Sequence, residues 1–222
     1  MRRQGRLAEP DNPPMEQEET YVCTDIEADG PIPGPNSMIS LASAAFSSEG
    51  RLLDTFAANL LPLPGAVPNP QTMEWWQGNP EAWGATQVDK RDPEEVIRAF
   101  AAWVGGQPGT PVFVAYPAGF DFTFVYWYLH RFIGSSPFTH SALDMKTLAM
   151  VLLGRGYRHA TKNHWPREWK AAEGRHTHRA LDDALEQGRE FCAMLAEARR
   201  LPSREQREPA AKWQPKPRVT RR

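Results

Sequence analysis

Cysteine is scarce in this chain of 222 residues, which contains only Cys23 and Cys192. Two cysteines so far apart provide neither a zinc-ligand spacing nor a disulfide framework. We therefore expect both to be small core residues in a reducing environment. Long apolar runs are also missing, because the longest, around FTFVYWYL, is far too short to cross a bilayer. The N-terminus lacks the apolar segment of a signal peptide. These absences predict a soluble, cytoplasmic protein with no membrane partner.

The net charge is only −1, but basic residues are unevenly distributed. Residues 199–222 contain nine Lys or Arg against two Glu, and residues 155–179 contain seven against two. Such an asymmetry is compatible with a phosphate-bearing partner that approaches one face. A solvated tail and a charged loop would give the same composition. The sequence leaves both interpretations open.

Composition divides the chain into one domain and two tails. Residues 1–18 are polar and Pro-rich and residues 202–222 are basic and Pro-rich, which predicts disorder in both. Residues 19–201 show no repeat and no change of composition, which indicates one domain. Sequence patterns predict strands at 20–28, 36–46, 51–61 and 110–116, a strand end followed by a helix at 141–154, and helices at 69–83, 92–106, 120–134 and 178–200. This order predicts an α/β fold with a mixed β-sheet flanked by helices.

Two carboxylates interrupt the first predicted strand, in the segment VCTDIEADG. Because side chains alternate along a strand, Asp25 and Glu27 point to the same face, where like charges raise each other's pKa. Something should therefore neutralise them. Three more groups are candidates for the same place: Asp121 follows the strand at 110–116, and His178 and Asp183 form an H-x4-D pattern at the start of the last helix. Each motif is unspecific alone, so the argument depends on all of them occurring in this order.

Together these motifs resemble those of the DEDDh (DnaQ-like) 3′→5′ exonucleases in the ribonuclease H-like superfamily. TDIEADG resembles the first motif of that family, AGFDFTF the second and HRALDDA the third, and the resemblance covers about residues 20–195. It implies a ribonuclease H-like sheet with three antiparallel strands plus parallel strands. It also implies that His178 is a general base and that the metal ligands are Asp25, Glu27, Asp121 and Asp183.

The activity implied by the resemblance is hydrolysis of phosphodiester bonds from the 3′ end of single-stranded nucleic acid, with release of nucleoside 5′-monophosphates. Carboxylate oxygens suit two Mg²⁺ or Mn²⁺ ions per active site. Ala28, Phe120 and Trp76 are candidates for contacting the substrate, although core packing explains a tryptophan equally well. The alternatives are an RNA-trimming or oligoribonuclease-type enzyme and a catalytically silent nucleic-acid binding module. The sequence leaves the oligomeric state open, a dimer included.

The chain departs from the family pattern in two places. Pro117 stands four residues before Asp121, where relatives often carry Asn, and the loop at 30–36 is rich in Gly and Pro. We expect this loop to line the cleft. We expect two other aspartates to be structural, Asp29 as a turn former and Asp144 as a helix cap.

Overall fold

The fold is a mixed five-stranded sheet covered by helices, as shown by a computed structural model that describes residues 18–171 and 179–202. The strands in these ranges are β1 (Glu19–Ala28), β2 (Met38–Ser47), β3 (Leu52–Asn59), β4 (Thr110–Ala115) and β5 (Leu143–Asp144). The helices are α1 (Pro70–Gln77), α2 (Pro80–Thr86), α3 (Pro93–Gly105), α4 (Ala118–Phe132), α5 (Met145–Leu153) and α6 (Ala180–Ala198). Two short 3₁₀ helices, Tyr157–His159 and Lys162–His164, lie between α5 and α6.

Strand β1 lies at the centre of the sheet, whose order is β3-β2-β1-β4-β5. β1 pairs antiparallel with β2 and β2 pairs antiparallel with β3, whereas β1–β4 and β4–β5 are parallel. The predicted fold class, with three antiparallel strands plus parallel strands, is therefore confirmed. Because β4 and β5 run parallel to β1, the carboxyl ends of all three strands lie at the same edge of the sheet. That edge carries the acidic residues.

The side chains of β1 alternate between two cores on opposite faces of the sheet. Val22 and Ile26 pack with apolar residues of α3 and α4. Tyr21 and Cys23 pack with apolar residues of α5 and α6. By the same alternation, the next side chains after Cys23 on the α6 face are the two carboxylates. The apolar pattern of β1 therefore determines which helix the acidic pair faces.

Helix α6 approaches the sheet closely because small residues separate them. Ala42 on β2 packs with Ala180 and Ala184 on α6. Further along, a Cβ at position 188 would lie 2.0 Å from the ring of Phe46, so only Gly188 fits there. This close approach brings polar groups of α6 within reach of β1.

The predicted helix at 69–83 is in fact two helices. Asn79 interrupts it, with φ −129° and ψ 58°, and Pro80 begins α2. A residue before proline avoids the helical region because the proline ring clashes with its backbone. Helix α4 also begins two residues earlier than predicted, at Ala118.

The side chain of Asp92 caps the start of α3. Asp92 accepts hydrogen bonds from the backbone N–H groups of Glu94 and Glu95, at 2.9 and 3.2 Å. The carboxylate of Glu95 forms an ion pair with Arg91.

The two thiols are free, as expected: Cys23 is buried and Cys192 is partly buried. Burial raises the pKa of both thiols, which favours the uncharged form. Within residues 18–171 and 179–202, no helix has the length and apolar character needed to span a bilayer. The predicted tails, 1–18 and 202–222, lie almost entirely outside these ranges.

Candidate active site

Three carboxylates from β1 and α6 converge at one point. Asp25, Glu27 and Asp183 each offer an oxygen, and these oxygens all lie within 4.8 Å of one another. Asp183 is in the first turn of α6 and is only 4% exposed. Its neighbour Asp182 is exposed. The structure thus brings together three of the four predicted metal ligands and distinguishes the two adjacent aspartates.

Asp121, the fourth predicted ligand, lies beside this group but outside the 4.8 Å set. It is in the first turn of α4 and is 4% exposed. Its Oδ1 accepts a hydrogen bond from the backbone N–H of Ile26, at 3.1 Å. Ile26 is the residue between Asp25 and Glu27, so this bond fixes Asp121 against the centre of the first motif.

Burial raises the pKa of Asp25, Glu27 and Asp121, and repulsion from neighbouring carboxylates adds to this at Asp25 and Glu27. The pKa of Asp25 is well above its usual range because of burial and the nearby charges of Asp121, Glu27 and Asp183, an effect that Lys162 partly offsets. Burial, together with Asp183 and Asp121, raises the pKa of Glu27 to about 8. Burial raises the pKa of Asp121 to about 7, against the opposing effect of the Ile26 N–H. A bound cation would therefore favour the ionised forms of Asp25, Glu27 and Asp121.

The donor set fits a hard divalent cation. Mg²⁺ and Mn²⁺ prefer carboxylate oxygens, and a cation removes the repulsion that raises these pKa values. Soft metals that prefer thiolate are not favoured here, because Cys23 points into an apolar core. The geometry supports divalent-cation binding by Asp25, Glu27 and Asp183, with Asp121 close enough to interact electrostatically with the first two.

Two residues of this region were not identified from the sequence. The side-chain amide of Gln187 donates to Oδ1 of Asp25 at 3.0 Å. The Lys162 ammonium forms ion pairs with Glu186 at 3.1 Å and Glu190 at 2.9 Å. The only available signal for Gln187 was its position four residues after Asp183, on the same ridge of α6. Nothing in the sequence indicates that Lys162 forms ion pairs with residues of α6.

His178, the predicted general base, lies outside the described residues, as do residues 172–177 directly before it. The described chain resumes at residue 179, directly after His178 in sequence, and α6 begins at Ala180. The role of His178 as general base therefore remains a prediction from the sequence motifs.

The two aspartates expected to be structural have structural roles. Asp29 is 2% exposed and accepts a hydrogen bond from Ser37 N–H at 2.6 Å, which closes the loop at 30–36. Asp144 caps α5 by accepting from Thr147 N–H at 2.7 Å. Its other oxygen accepts from Ala118 N–H at 2.9 Å and so fixes the start of α4.

The candidate substrate contacts differ in exposure. Trp76 is 2% exposed and its indole N–H donates to the carbonyl of Ala28 at 3.1 Å, so its ring is part of the core. The neighbouring Trp75 is 44% exposed and Phe120 is 39% exposed. Ala28 is itself buried. The prediction that Trp76 stacks on a base is corrected by its burial, and Trp75 is the exposed ring of the pair.

The mixed sheet and its flanking helices have a ribonuclease H-like fold. The chain resembles the structure of E. coli exonuclease I in complex with a dA16 oligonucleotide, with a TM-score of 0.59, 15% identity, and coverage of 82% of this chain and 41% of that one. It also resembles a full-length 3′-exonuclease with a TM-score of 0.58 and 10% identity, covering 82% of each chain. The chain thus spans less than half the length of exonuclease I.

Residues 20–195 match the model of the 3′-5′ exoribonuclease Rv2179c-like domain, and the chain belongs to that family. The chain is also 34% identical over 134 residues to the 3′-5′ DNA exonuclease Cap18 of Escherichia coli, a match that covers 59% of this chain and 67% of that protein. These findings confirm the predicted membership of the DEDD group of 3′→5′ exonucleases.

Proposed function

We propose that this protein is a metal-dependent exonuclease that removes nucleotides one at a time from the 3′ end of single-stranded nucleic acid by a two-metal-ion mechanism. The main support is the convergence of Asp25, Glu27 and Asp183 within 4.8 Å, next to Asp121. Family membership supports the 3′→5′ direction.

In the proposed reaction, water attacks the phosphorus of the terminal nucleotide and the bond from phosphorus to the preceding O3′ breaks. A nucleoside 5′-monophosphate leaves, and the shortened strand keeps a 3′ hydroxyl. When bound, two Mg²⁺ or Mn²⁺ ions would activate the water and stabilise the departing O3′.

Each carboxylate has a proposed part. The charges of the other three carboxylates all act on Asp25, which would be shared by both ions. Glu27 and Asp183 would hold one ion, and Asp121 would support the other. His178 would accept the proton of the attacking water, because an unperturbed imidazole titrates near working pH.

The exposed aromatic rings suit the terminal nucleoside. Helix α1 is anchored by the Trp76–Ala28 hydrogen bond to the last residue of β1, directly after Glu27, and the exposed Trp75 packs on Trp76 at a centroid distance of 4.8 Å. Phe120 directly precedes Asp121 and packs on Phe124 at a centroid distance of 5.1 Å. We propose that Trp75 and Phe120 contact the base or sugar at the 3′ end.

The relatives differ in the nucleic acid named for them: the family is described as an exoribonuclease domain and Cap18 as a DNA exonuclease. The first experiment therefore compares DNA with RNA. Single-stranded DNA and RNA, each labelled at the 5′ or the 3′ end, should be incubated with Mg²⁺, Mn²⁺ or EDTA. We expect a metal-dependent ladder that shortens from the 3′ end on at least one polymer. An RNA-only ladder would identify the RNA-trimming alternative.

A matched pair of variants tests the site itself. Asp183→Asn should abolish the ladder, whereas Asp182→Asn, which changes the exposed neighbour, should keep it. A protein that binds oligonucleotides but gives no ladder with either metal would be the silent binding module, and the enzymatic proposal would be wrong.

A further inference from the structure

Gln187 is a buried amide in contact with the acidic group. It lies four residues after Asp183 on α6, one helical turn further along the same face, and is 3% exposed. Its Nε2 donates to Oδ1 of Asp25 across 3.0 Å. The contact joins residues that are 162 positions apart.

Building on the proposed function, we propose that Gln187 is a positioning residue that holds Asp25 in the orientation needed to bind the divalent cation. One oxygen of Asp25 accepts the amide hydrogen bond, which leaves the other oxygen for the cation. Without this bond, the carboxylate is free to rotate about a broad terminal torsion, away from the charges of Asp121 and Glu27 that repel it.

The oxygen of the Gln187 amide indicates that glutamine at this position does not maximise the stability of the fold. Among the described residues, Oε1 of Gln187 is buried and has no hydrogen-bond partner. An unsatisfied buried polar atom costs about 1–3 kcal/mol. An apolar side chain of similar size would avoid that cost, so the amide N–H toward Asp25 is the feature that distinguishes glutamine here.

A neutral donor also suits a metal ligand better than a charged one. A lysine or arginine at position 187 would pair with Asp25 and compete with the cation for its charge. The positive charge near this site is instead held by Lys162, which the ion pairs with Glu186 and Glu190 attach to α6. Those ion pairs also connect α6 to the preceding segment, so Gln187 is not needed for that link.

The test compares Gln187→Met, which keeps size and removes the donor, with Arg189→Met, an exposed control on the same helix. Mn²⁺ binding to the full chain, without nucleic acid, is measured by calorimetry. We expect Gln187→Met to weaken Mn²⁺ binding about 10–100-fold, as is typical when a partner of a metal ligand is lost. Arg189→Met should change it less than twofold.

Two further measurements separate positioning from a structural role. Turnover of Gln187→Met should recover towards the wild-type kcat at saturating Mg²⁺, with the defect confined to the metal concentration required. Its melting temperature in EDTA should equal or exceed that of the wild type, because the unsatisfied oxygen is gone. A lower melting temperature with unchanged Mn²⁺ affinity would overturn the proposal.

If Gln187→Met fails to fold, Gln187→Asn replaces it, because the shorter amide cannot reach Asp25 and should show the same loss of affinity. Asp183→Asn is titrated in parallel. If wild-type protein and Asp183→Asn bind Mn²⁺ equally, the metal site itself is wrong. If only Asp183→Asn is impaired, the metal site stands and the role of Gln187 is refuted.

Discussion

Replacing Glu27 with glutamine should make the folding stability of the metal-free protein less dependent on pH. Folding raises the pKa of Glu27 from 4.5 to about 8, so the folded state binds this proton more tightly than the unfolded chain does. The resulting stabilisation is complete below pH 4.5 and is lost as the pH rises through 8. Wild-type protein in EDTA should therefore become less stable across this interval.

The magnitude follows from the size of the shift. One pKa unit corresponds to about 1.4 kcal/mol, so the wild type should lose about 3 kcal/mol more than Glu27→Gln between pH 5 and pH 8. For a domain of this size, that difference equals about 6–12 °C in melting temperature.

The assay is urea and thermal unfolding in EDTA over this pH range, with Glu168→Gln as a control at an exposed carboxylate. Glu168→Gln should follow the wild-type curve. Saturating Mg²⁺ at pH 8 should restore stability to the wild type more than to Glu27→Gln, because a ligand that binds the folded state stabilises it. Parallel pH curves for wild type and Glu27→Gln would refute the argument that repulsion and burial raise this pKa.

Three other predictions concern the base, the substrate contact and the packing of α6. His178→Ala should lower kcat about 10²–10⁴-fold in single-turnover assays and leave Mn²⁺ affinity unchanged; a normal rate would exclude it as the general base. Trp75→Ala should weaken single-strand binding by about 1–3 kcal/mol in anisotropy titrations, whereas Leu52→Ala, equally exposed at 44%, should not. Gly188→Ala should destabilise the fold by about 1–3 kcal/mol in urea unfolding because its Cβ would clash with a ring, and the unobstructed Gly84→Ala should stabilise it slightly.

The sequence predicts the acidic group because short local rules place its members. Alternation along β1 orients Asp25 and Glu27 together, and the H-x4-D pattern places Asp183 in the first turn of the last helix. The order of strands then brings these segments to one edge of the sheet. The mixed topology could be predicted from the order of the elements, in which three strands come first and a further strand follows the helices.

The remaining features depend on contacts between distant residues. No local pattern shows that the amide of Gln187 reaches Asp25, or that Lys162 pairs with Glu186 and Glu190. The burial of Trp76 rather than Trp75 depends on how α1 docks on the end of β1. The sequence of a short helix does not show how that helix docks on the rest of the protein.

Anomalous diffraction from crystals soaked with Mn²⁺ tests the metal site most directly. We predict two Mn²⁺ peaks at the end of β1, one bound by Glu27 and Asp183, one beside Asp121, and both contacted by Asp25. Asp183→Asn crystals soaked in the same way should lose at least the first peak. Well-ordered wild-type crystals with no Mn²⁺ at these carboxylates, or with Mn²⁺ bound only elsewhere, would contradict the proposed metal-dependent mechanism.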